Sequence, residues 1–327
     1  MAGGREVFVT GATGFIGGRL AERLLERGDR LRCLVRTPSA AAHLESRGVR
    51  LIEGDIMDPV ALERGLDGVG LAYHLAAIYD IGVVDEAALE RTNVDGTQTF
   101  LRAIEHAGTA LAVYVSTTAA LAPRAVRTED AAAAWRGPFP SIYHRTKSQA
   151  HRTARDAQER GLPLVIVCPP SVYGPGDEGP TGRLVRSAVR GRLPGLLRDP
   201  ARFEYAYVDD VVQALVAAGE RGRPGATYIL GGEPVELNGF VERVAAVAGR
   251  SAPALHFPTG MALLGGRILD RIGRAMGKRF VMTREGVAST AGHDWTHDDA
   301  RASTELGYEP RPLMEGLPPT VAWAQRA

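Results

Sequence analysis

The stretch Val7-Phe8-Val9-Thr10-Gly11-Ala12-Thr13-Gly14-Phe15-Ile16-Gly17 decides how this chain is read. Val7, Phe8 and Val9 form a short apolar run suited to a buried parallel strand. Thr10 and Gly11 begin a tight turn, and Gly11, Gly14 and Gly17 recur every third residue. From Phe15 to Leu25 the apolar spacing is helical. Strand, glycine turn and helix together predict a dinucleotide site. Glycine lets the backbone approach a pyrophosphate, and the free N–H groups at a helix start bind its oxygens. Gly11, Thr13, Gly14, Phe15, Ile16 and Gly17 are the residues expected there.

Moving outward, Leu31 to Val35 reads as a second strand whose tip is Arg36, followed by Thr37, Pro38 and Ser39. An acidic residue at this tip would bond the ribose hydroxyls of NAD and repel a 2′-phosphate. A guanidinium does the reverse. Arg36, with support from Ser39 and Arg32, therefore predicts NADP(H) in preference to NAD(H). Val49 to Glu53 is a third strand ending in Gly54-Asp55-Ile56, and Asp58 before Pro59 reads as a helix cap. Gly70 to Leu75 is a fourth strand. Its His74 reads as a satisfied core histidine, and Ala76 and Ala77 are small enough for the backbone to pass close to a cofactor. One long amphipathic helix is expected from Asp85 to His106, then a fifth strand from Leu111 to Val115. Ser116, Thr117 and Thr118 follow at the carboxyl edge of the sheet, where open α/β sheets place ligands.

Tyr143 and Lys147 share one face of a helix expected from Ser141 to Arg160. A phenol titrating near pH ~10 is a poor acid or base at neutral pH, and a nearby ammonium lowers that value. The tuned phenol can give a proton to a carbonyl oxygen, or take one from an alcohol, as hydride moves. A strand from Leu164 to Cys168 then leads into Pro169-Pro170-Ser171-Val172-Tyr173-Gly174-Pro175-Gly176-Asp177.

These motifs, in this order, resemble the extended short-chain dehydrogenase/reductases of the NAD-dependent epimerase/dehydratase superfamily. T-G-x-x-G-F-I-G opens the resemblance at Thr10, and Tyr143-x-x-x-Lys147 and the V-Y-G-P-G-D loop continue it. The Val35-Arg36-Thr37-Pro38-Ser39 tip and the Cys168-Pro169-Pro170-Ser171 loop narrow it to the dihydroflavonol-4-reductase-like and 3β-hydroxysteroid-dehydrogenase-like branch. The resemblance implies that Asp55 and Ile56 meet the adenine, that Leu75, Ala76 and Ala77 flank the cofactor, and that Asn93 ties the central strands to the helix near the site. It also implies that Pro170 and Val172 pack beside the nicotinamide and that Lys147 holds its ribose. Thr117 aligns with the catalytic hydroxyl; Ser116 is the runner-up for that role and is otherwise a cofactor contact. Thr117, Tyr143 and Lys147 are thus the expected catalytic residues.

The fold expected is α/β: a Rossmann-type, doubly wound parallel sheet with a smaller, interleaved C-terminal substrate-binding region. Residues 1–177, completed by 203–231 and its Val208-Asp209-Asp210-Val211 element, would hold NADP; 178–202 and 232–327 would hold substrate. Asp209 and Asp210 read as capping or loop-bonding groups, and no metal site is expected. Pro258 to Gly277 is an amphipathic helix whose stripe of Leu263, Leu264, Ile268, Leu269, Ile272 and Met276 is expected to pack in the core. Asp298 to Pro310 resembles the family's closing A-x-x-x-L-G-Y-x-P element. Tyr79, Trp135, Phe139, Tyr173, Phe203 and Tyr205 are candidate substrate contacts and suggest a cyclic or aromatic ketone.

The 327 residues can bury a large core, and a net charge of +1 with 24% charged residues points to no nucleic-acid partner. No apolar run approaches the roughly 18 residues of a membrane span. A first strand close to the N-terminus leaves no room for a signal peptide, so a cytoplasmic protein is expected. Cys33 and Cys168 sit in apolar strands and should be reduced, buried thiols. A homodimer through the helices Asp85–His106 and Ser141–Arg160 is the family's arrangement. The function expected is an NADPH-dependent carbonyl reductase, or the reverse alcohol dehydrogenase. The alternative is a sugar-nucleotide epimerase or dehydratase. Against that stand Arg36, Cys168 in place of the arginine many such enzymes carry, and Tyr207 where a histidine often precedes Val-Asp-Asp. A non-enzymatic NADP sensor is a third reading, disfavoured by the intact Tyr143–Lys147 pair.

Overall fold

The computed structural model describes residues 4–82, 85–124, 130–276, 280, 282–297 and 300–326. The chain opens with β1 (Glu6–Thr10), the glycine turn and α1 (Phe15–Glu26), then β2 (Arg30–Val35), α2 (Ala42–Glu45), β3 (Arg50–Glu53), α3 (Pro59–Leu66) and β4 (Leu71–His74). An interrupted helix follows: α4 (Glu86–Leu89), a π-helical stretch (Glu90–Asp95) and α5 (Gly96–Ala107). Then come β5 (Leu111–Val115), α6 (Ile142–Glu159), β6 (Leu164–Cys168), β7 (Ser171–Tyr173), α7 (Pro180–Val189), β8 (Leu196–Leu197), β9 (Arg202–Tyr207), α8 (Val208–Arg221) and β10 (Thr227–Ile229). The chain continues through β11 (Glu233–Glu236), α9 (Leu237–Val247), β12 (His256–Phe257), α10 (Thr259–Met276), α11 (Arg284–Thr290), α12 (Ala300–Leu306) and α13 (Leu313–Arg326).

Seven strands form one all-parallel sheet in the order β3-β2-β1-β4-β5-β6-β10. The order reverses between β1 and β4, the switch point at which doubly wound sheets bind their ligands. Side-chain alternation explains the two layers. Val7, Val9, Cys33, Tyr73, Val113 and Val165 enter one core, and Phe8, Leu34, Ala72, Tyr114, Ile166 and Cys168 enter the other. Strands apolar on both faces belong to a sheet with helices on both sides. Both cysteines are free and buried.

Three expectations need correction. The strand expected at Phe203–Val208 forms, but it does not join the main sheet. As β9 it pairs with β7 and β11 in a three-stranded sheet, with Ser171 opposite Tyr205; β10, reached through α8, is what extends the main sheet. The single helix expected from Asp85 to His106 contains a π-turn, where the Gly96 N–H donates to the Arg91 carbonyl. In α10 four residues of the stripe expected in the core face solvent, while Leu263 packs against the cluster of Leu197, Ala262 and Val287 and Leu269 is half-buried. Ala262, Gly266, Asp270 and Gly273 are the helix's buried residues, while Leu264, Ile268, Ile272 and Met276 are exposed. The reason is close packing on α11: a Cβ on Gly266 would lie 2.6 Å from the Arg284 nitrogen, so the helix seats its smallest residues there. Asp298 and Asp299 of the closing motif, and Gly277, lie outside the described residues.

Candidate active site

A cavity of about 590 Å³ opens at the carboxyl edge of β1, β4, β5 and β6. Gly11, Thr13, Gly14, Phe15, Ile16 and Gly17 line one end of it. Gly11 has φ +79°, and a Cβ there would lie 2.7 Å from the Ala76 nitrogen. A Cβ on Gly17 would run into the Gly11 carbonyl. Gly14 caps α1 without a side-chain bond, and the first turn of the helix holds no acidic residue. A glycine cradle and a helix start with free N–H groups fit a dinucleotide pyrophosphate.

Leu75, Ala77, Ser116, Pro170 and Val172 also line the cavity. Arg36 and Ser39 lie outside it, exposed beyond the end of β2, which pairs with β1 as far as Thr10–Leu34. Arg32 is not available to assist Arg36: its guanidinium is bonded to Glu6 at 3.2 Å and to the Asp67 carbonyl at 2.7 Å. The Asp55 carboxylate accepts from the Met57 N–H at 3.0 Å, and Ile56 is buried against Gly96; neither lines the cavity, nor does Ala76.

Midway along the cavity, α6 and the end of β5 bring three predicted residues together. Tyr143 is 7% exposed and Lys147 3%, and Thr117 lines the same cavity, its Oγ1 accepting from the Ala119 N–H at 3.2 Å. Burial pushes the Tyr143 phenol well above its ordinary value, Tyr79 adds to the rise, and the neighbouring Thr117 hydroxyl opposes it. Lys147 Nζ donates to the Tyr114 hydroxyl at 3.3 Å and the Val115 carbonyl at 3.2 Å. Burial pushes the ammonium down to about 8. Ser116 is differently engaged: its Oγ lies 2.8 Å from His151 Nδ1.

Behind this group lies a polar brace. Asn93 Oδ1 accepts from the Ile78 N–H at 2.7 Å, and its Nδ2 donates to the Ile78 carbonyl at 3.1 Å and to Thr146 Oγ1 at 3.2 Å. One amide thus joins the loop after β4 to α6. His74 is held between Thr10 at 2.8 Å and Thr97 at 3.2 Å, and burial pushes its imidazole down to about 3, as a neutral core histidine requires. Asp209 and Asp210 bond Arg19 and Arg311, and no group of metal ligands exists among the described residues.

The far end of the cavity is apolar. Leu184, Leu193, Leu196, Leu197, Phe203 and Tyr205 line it, with Val241, Met282, Val287 and Trp295 closing it. Of the predicted substrate contacts, Tyr79, Phe203 and Tyr205 are there, the Tyr79 ring 4.9 Å from Tyr143. Trp135, Phe139 and Tyr173 do not line the cavity. Trp135 packs against Phe139 at 5.1 Å and Trp295 at 5.7 Å, and Trp295 takes the cavity-lining position instead. The Tyr173 hydroxyl turns into the core and donates to the Leu313 carbonyl at 3.2 Å. His144 was not anticipated: it lines the cavity beside Tyr143 with Nδ1 2.7 Å from Ser141 Oγ, and burial pushes it down to about 3. Asp177 was anticipated only as part of a loop. It is buried on the cavity wall, accepts from the Gly179 N–H at 2.8 Å, and is pushed up to about 6 by burial.

Comparison with known proteins agrees with this geometry. The NAD dependent epimerase/dehydratase family matches over residues 7–231. The chain is 30% identical, over 93% of its length and 92% of the relative's, to a 4-hydroxy-2-methyl-3-oxo-4-farnesyl-3,4-dihydroquinoline-1-oxide ketoreductase of Stigmatella aurantiaca. It is 28% identical, over 76% of its length and 71% of the relative's, to a 3 beta-hydroxysteroid dehydrogenase/Delta 5-->4-isomerase of Mycobacterium tuberculosis. Among solved structures, MoeE5 in complex with UDP-glucose and NAD superposes with a TM-score of 0.75 at 27% identity, covering 98% of this chain and 99% of that one.

Proposed function

This chain belongs to the NAD dependent epimerase/dehydratase family as an NAD(P)-dependent oxidoreductase of the extended short-chain dehydrogenase/reductase type, and from that we propose an NADPH-dependent carbonyl reductase acting on a cyclic or aromatic ketone. The observation that carries the reading is the single cavity that runs from the glycine cradle, past Thr117, Tyr143 and Lys147, into a chamber of leucines and aromatic rings.

Residues 1–177 with 203–231 would hold the cofactor, and 178–202 with 232–327 the substrate. Arg36, exposed and clear of the Glu6 pair that occupies Arg32, would take the 2′-phosphate. When bound, the nicotinamide supplies or accepts hydride. Tyr143, kept protonated by burial, gives its proton to the substrate oxygen, and Thr117, lining the same cavity, orients that oxygen. Lys147, braced on Tyr114 and Val115, supplies the positive charge that eases the proton's departure. A nucleoside diphosphate would need free cations along its path. Among the described residues Arg183 is the arginine lining the cavity, and it is already paired with Asp80 at 2.6 Å. The outer faces of α5 and α6, which meet in a groove lined by Leu101, Arg102, Asp156 and Arg160, would pair two copies of this protein in the cytoplasm.

The deciding assay follows NADPH consumption against cyclic, aromatic and steroid-like ketones, with Tyr143→Phe as the blank. Turnover with NADPH, weaker turnover with NADH and none in the variant supports the reading. Failure of every ketone, with conversion of a nucleotide sugar and no net cofactor consumption, replaces it with the epimerase or dehydratase reading.

A further inference from the structure

The helix α10 has three distinct faces. Ala262, Gly266, Asp270 and Gly273 are buried. Met261, Leu264, Ile268, Ile272 and Met276, spaced three, four, four and four residues apart, make a single stripe. At 1.5 Å per residue it is about 22 Å long, and each of its side chains is between 41% and 60% exposed. Beside it, Arg267, Arg271 and Arg274 form a second exposed row. None of the three arginines is in an ion pair among the described residues. The helix's one acidic residue, Asp270, is on the buried face, where it accepts from the Arg284 N–H at 3.2 Å.

We propose that α10 docks the protein on the surface of an anionic membrane, lying in the plane of the interface with its apolar stripe at the acyl boundary and its arginines at the level of the phosphates. Helices that bind membranes in this way pair an apolar face with an arginine- or lysine-rich flank, and a contiguous apolar patch of this length is unusual on a free protein surface. Charge complementarity selects the occupant. The arginine row suits anionic headgroups, whereas a second copy paired through α10 would bring no exposed carboxylate to meet it. No described helix is long and apolar enough to cross a membrane, so the attachment is peripheral. The helix also lies against the active-site cavity. Ala262 clusters with Leu197, Val287 and Met282, all three of which line the apolar chamber. The docking face is therefore one helix thickness from the end of the cavity suited to an apolar molecule. The proposal goes beyond the reaction and stands whichever substrate is turned over.

The test is co-sedimentation of the full-length protein with vesicles of phosphatidylcholine mixed with phosphatidylglycerol, against vesicles of phosphatidylcholine alone. The expected result is binding to the anionic vesicles that weakens as salt is raised. Leu264→Ser/Ile268→Ser and Arg267→Glu/Arg271→Glu/Arg274→Glu should each lower the partition coefficient at least about tenfold. The melting temperature and the turnover of a water-soluble ketone should stay at wild-type values. Absence of binding to the anionic vesicles overturns the proposal, as does binding that neither variant weakens. A concentration-dependent dimer in light scattering, abolished by Leu264→Ser/Ile268→Ser and unaccompanied by vesicle binding, overturns it in favour of a second copy.

Discussion

Ser116 Oγ and His151 Nδ1 stand 2.8 Å apart in the core, and that contact separates two adjacent hydroxyls that a one-residue slip in alignment would exchange. With Ser116 committed to His151, the proposed role of orienting the substrate oxygen beside Tyr143 falls to Thr117, whose hydroxyl opposes the rise of the phenol's value. Thr117→Val is expected to cut kcat about 10²- to 10³-fold, the usual loss for one oriented donor at a reacting oxygen, with NADPH binding unchanged. Ser116→Ala should keep most of kcat but lower the melting temperature, because it takes from the buried His151 Nδ1 its hydroxyl partner. Steady-state kinetics and cofactor titration on both variants, together with thermal melts, check the assignment; the opposite pattern gives the role to Ser116.

Lys147 carries its charge at a cost. Its value of about 8 lies below that of an exposed lysine, so between about 8 and 10.5 the unfolded chain binds more protons than the folded one. Stability therefore rises with pH across that window and is reduced below it. Lys147→Met should remove the penalty and stabilise the protein at neutral pH by about 1–3 kcal/mol while abolishing turnover. The reductase rate of the wild type should fall as pH climbs through about 8, when the ammonium is lost. Melting temperature and kcat/KM against pH test both.

Acid should loosen the fold early. His74 and His144 are held near 3 and His151 near 4 by burial, against an ordinary value of 6.5. Their contribution is complete above about pH 6.5 and is lost as pH falls toward the folded values, at up to about 1.4 kcal/mol per pH unit for each. Asp177, raised to about 6, works in the other direction between that value and 3.8, offsetting about one of the three protons. A melting temperature that drops between pH 6.5 and 5 is expected, and His151→Gln should flatten the drop.

Arg36 gives a prediction about cofactor choice. Arg36→Ala should raise KM for NADPH about 10- to 100-fold, the worth of a charged hydrogen-bonded contact, and leave KM for NADH nearly unchanged. An equal effect on both cofactors would remove Arg36 from the 2′-phosphate.

Much of this structure is legible in local sequence pattern. The glycine turn, the strands from β1 to β6 and the Tyr143–Lys147 pair all depend on residues within a dozen positions of one another, where periodicity and spacing are decisive. What sequence could not supply was contact at long range. Trp135 and Trp295 pack edge to face, and nothing in either neighbourhood says which one meets the cavity. Tyr173 has the composition of a substrate contact, but its hydroxyl finds a carbonyl on α13, 140 residues away. In α10 the periodicity announced an amphipathic helix correctly. The face that turned inward was set by the room that Gly266 leaves for α11, a property of the partner element.

The π-turn at Glu90–Asp95 makes chain length, and not only residue identity, a constraint on the site. It holds one more residue than an α-helix of the same rise would accommodate. Asn93 sits inside it, bonded to the loop after β4 and to α6, and Gly96 leaves it pressed on Ile56. Deleting any single residue from this segment would yield an ordinary helix with better local hydrogen bonds and the wrong rotation. Everything on one side would swing by about 100° relative to the other, and either the Asn93 amide or the Phe100 ring would leave its socket. Indels here should therefore be far less tolerated than substitutions at its exposed positions, a signature that aligned relatives of this chain would display as a fixed length across variable letters.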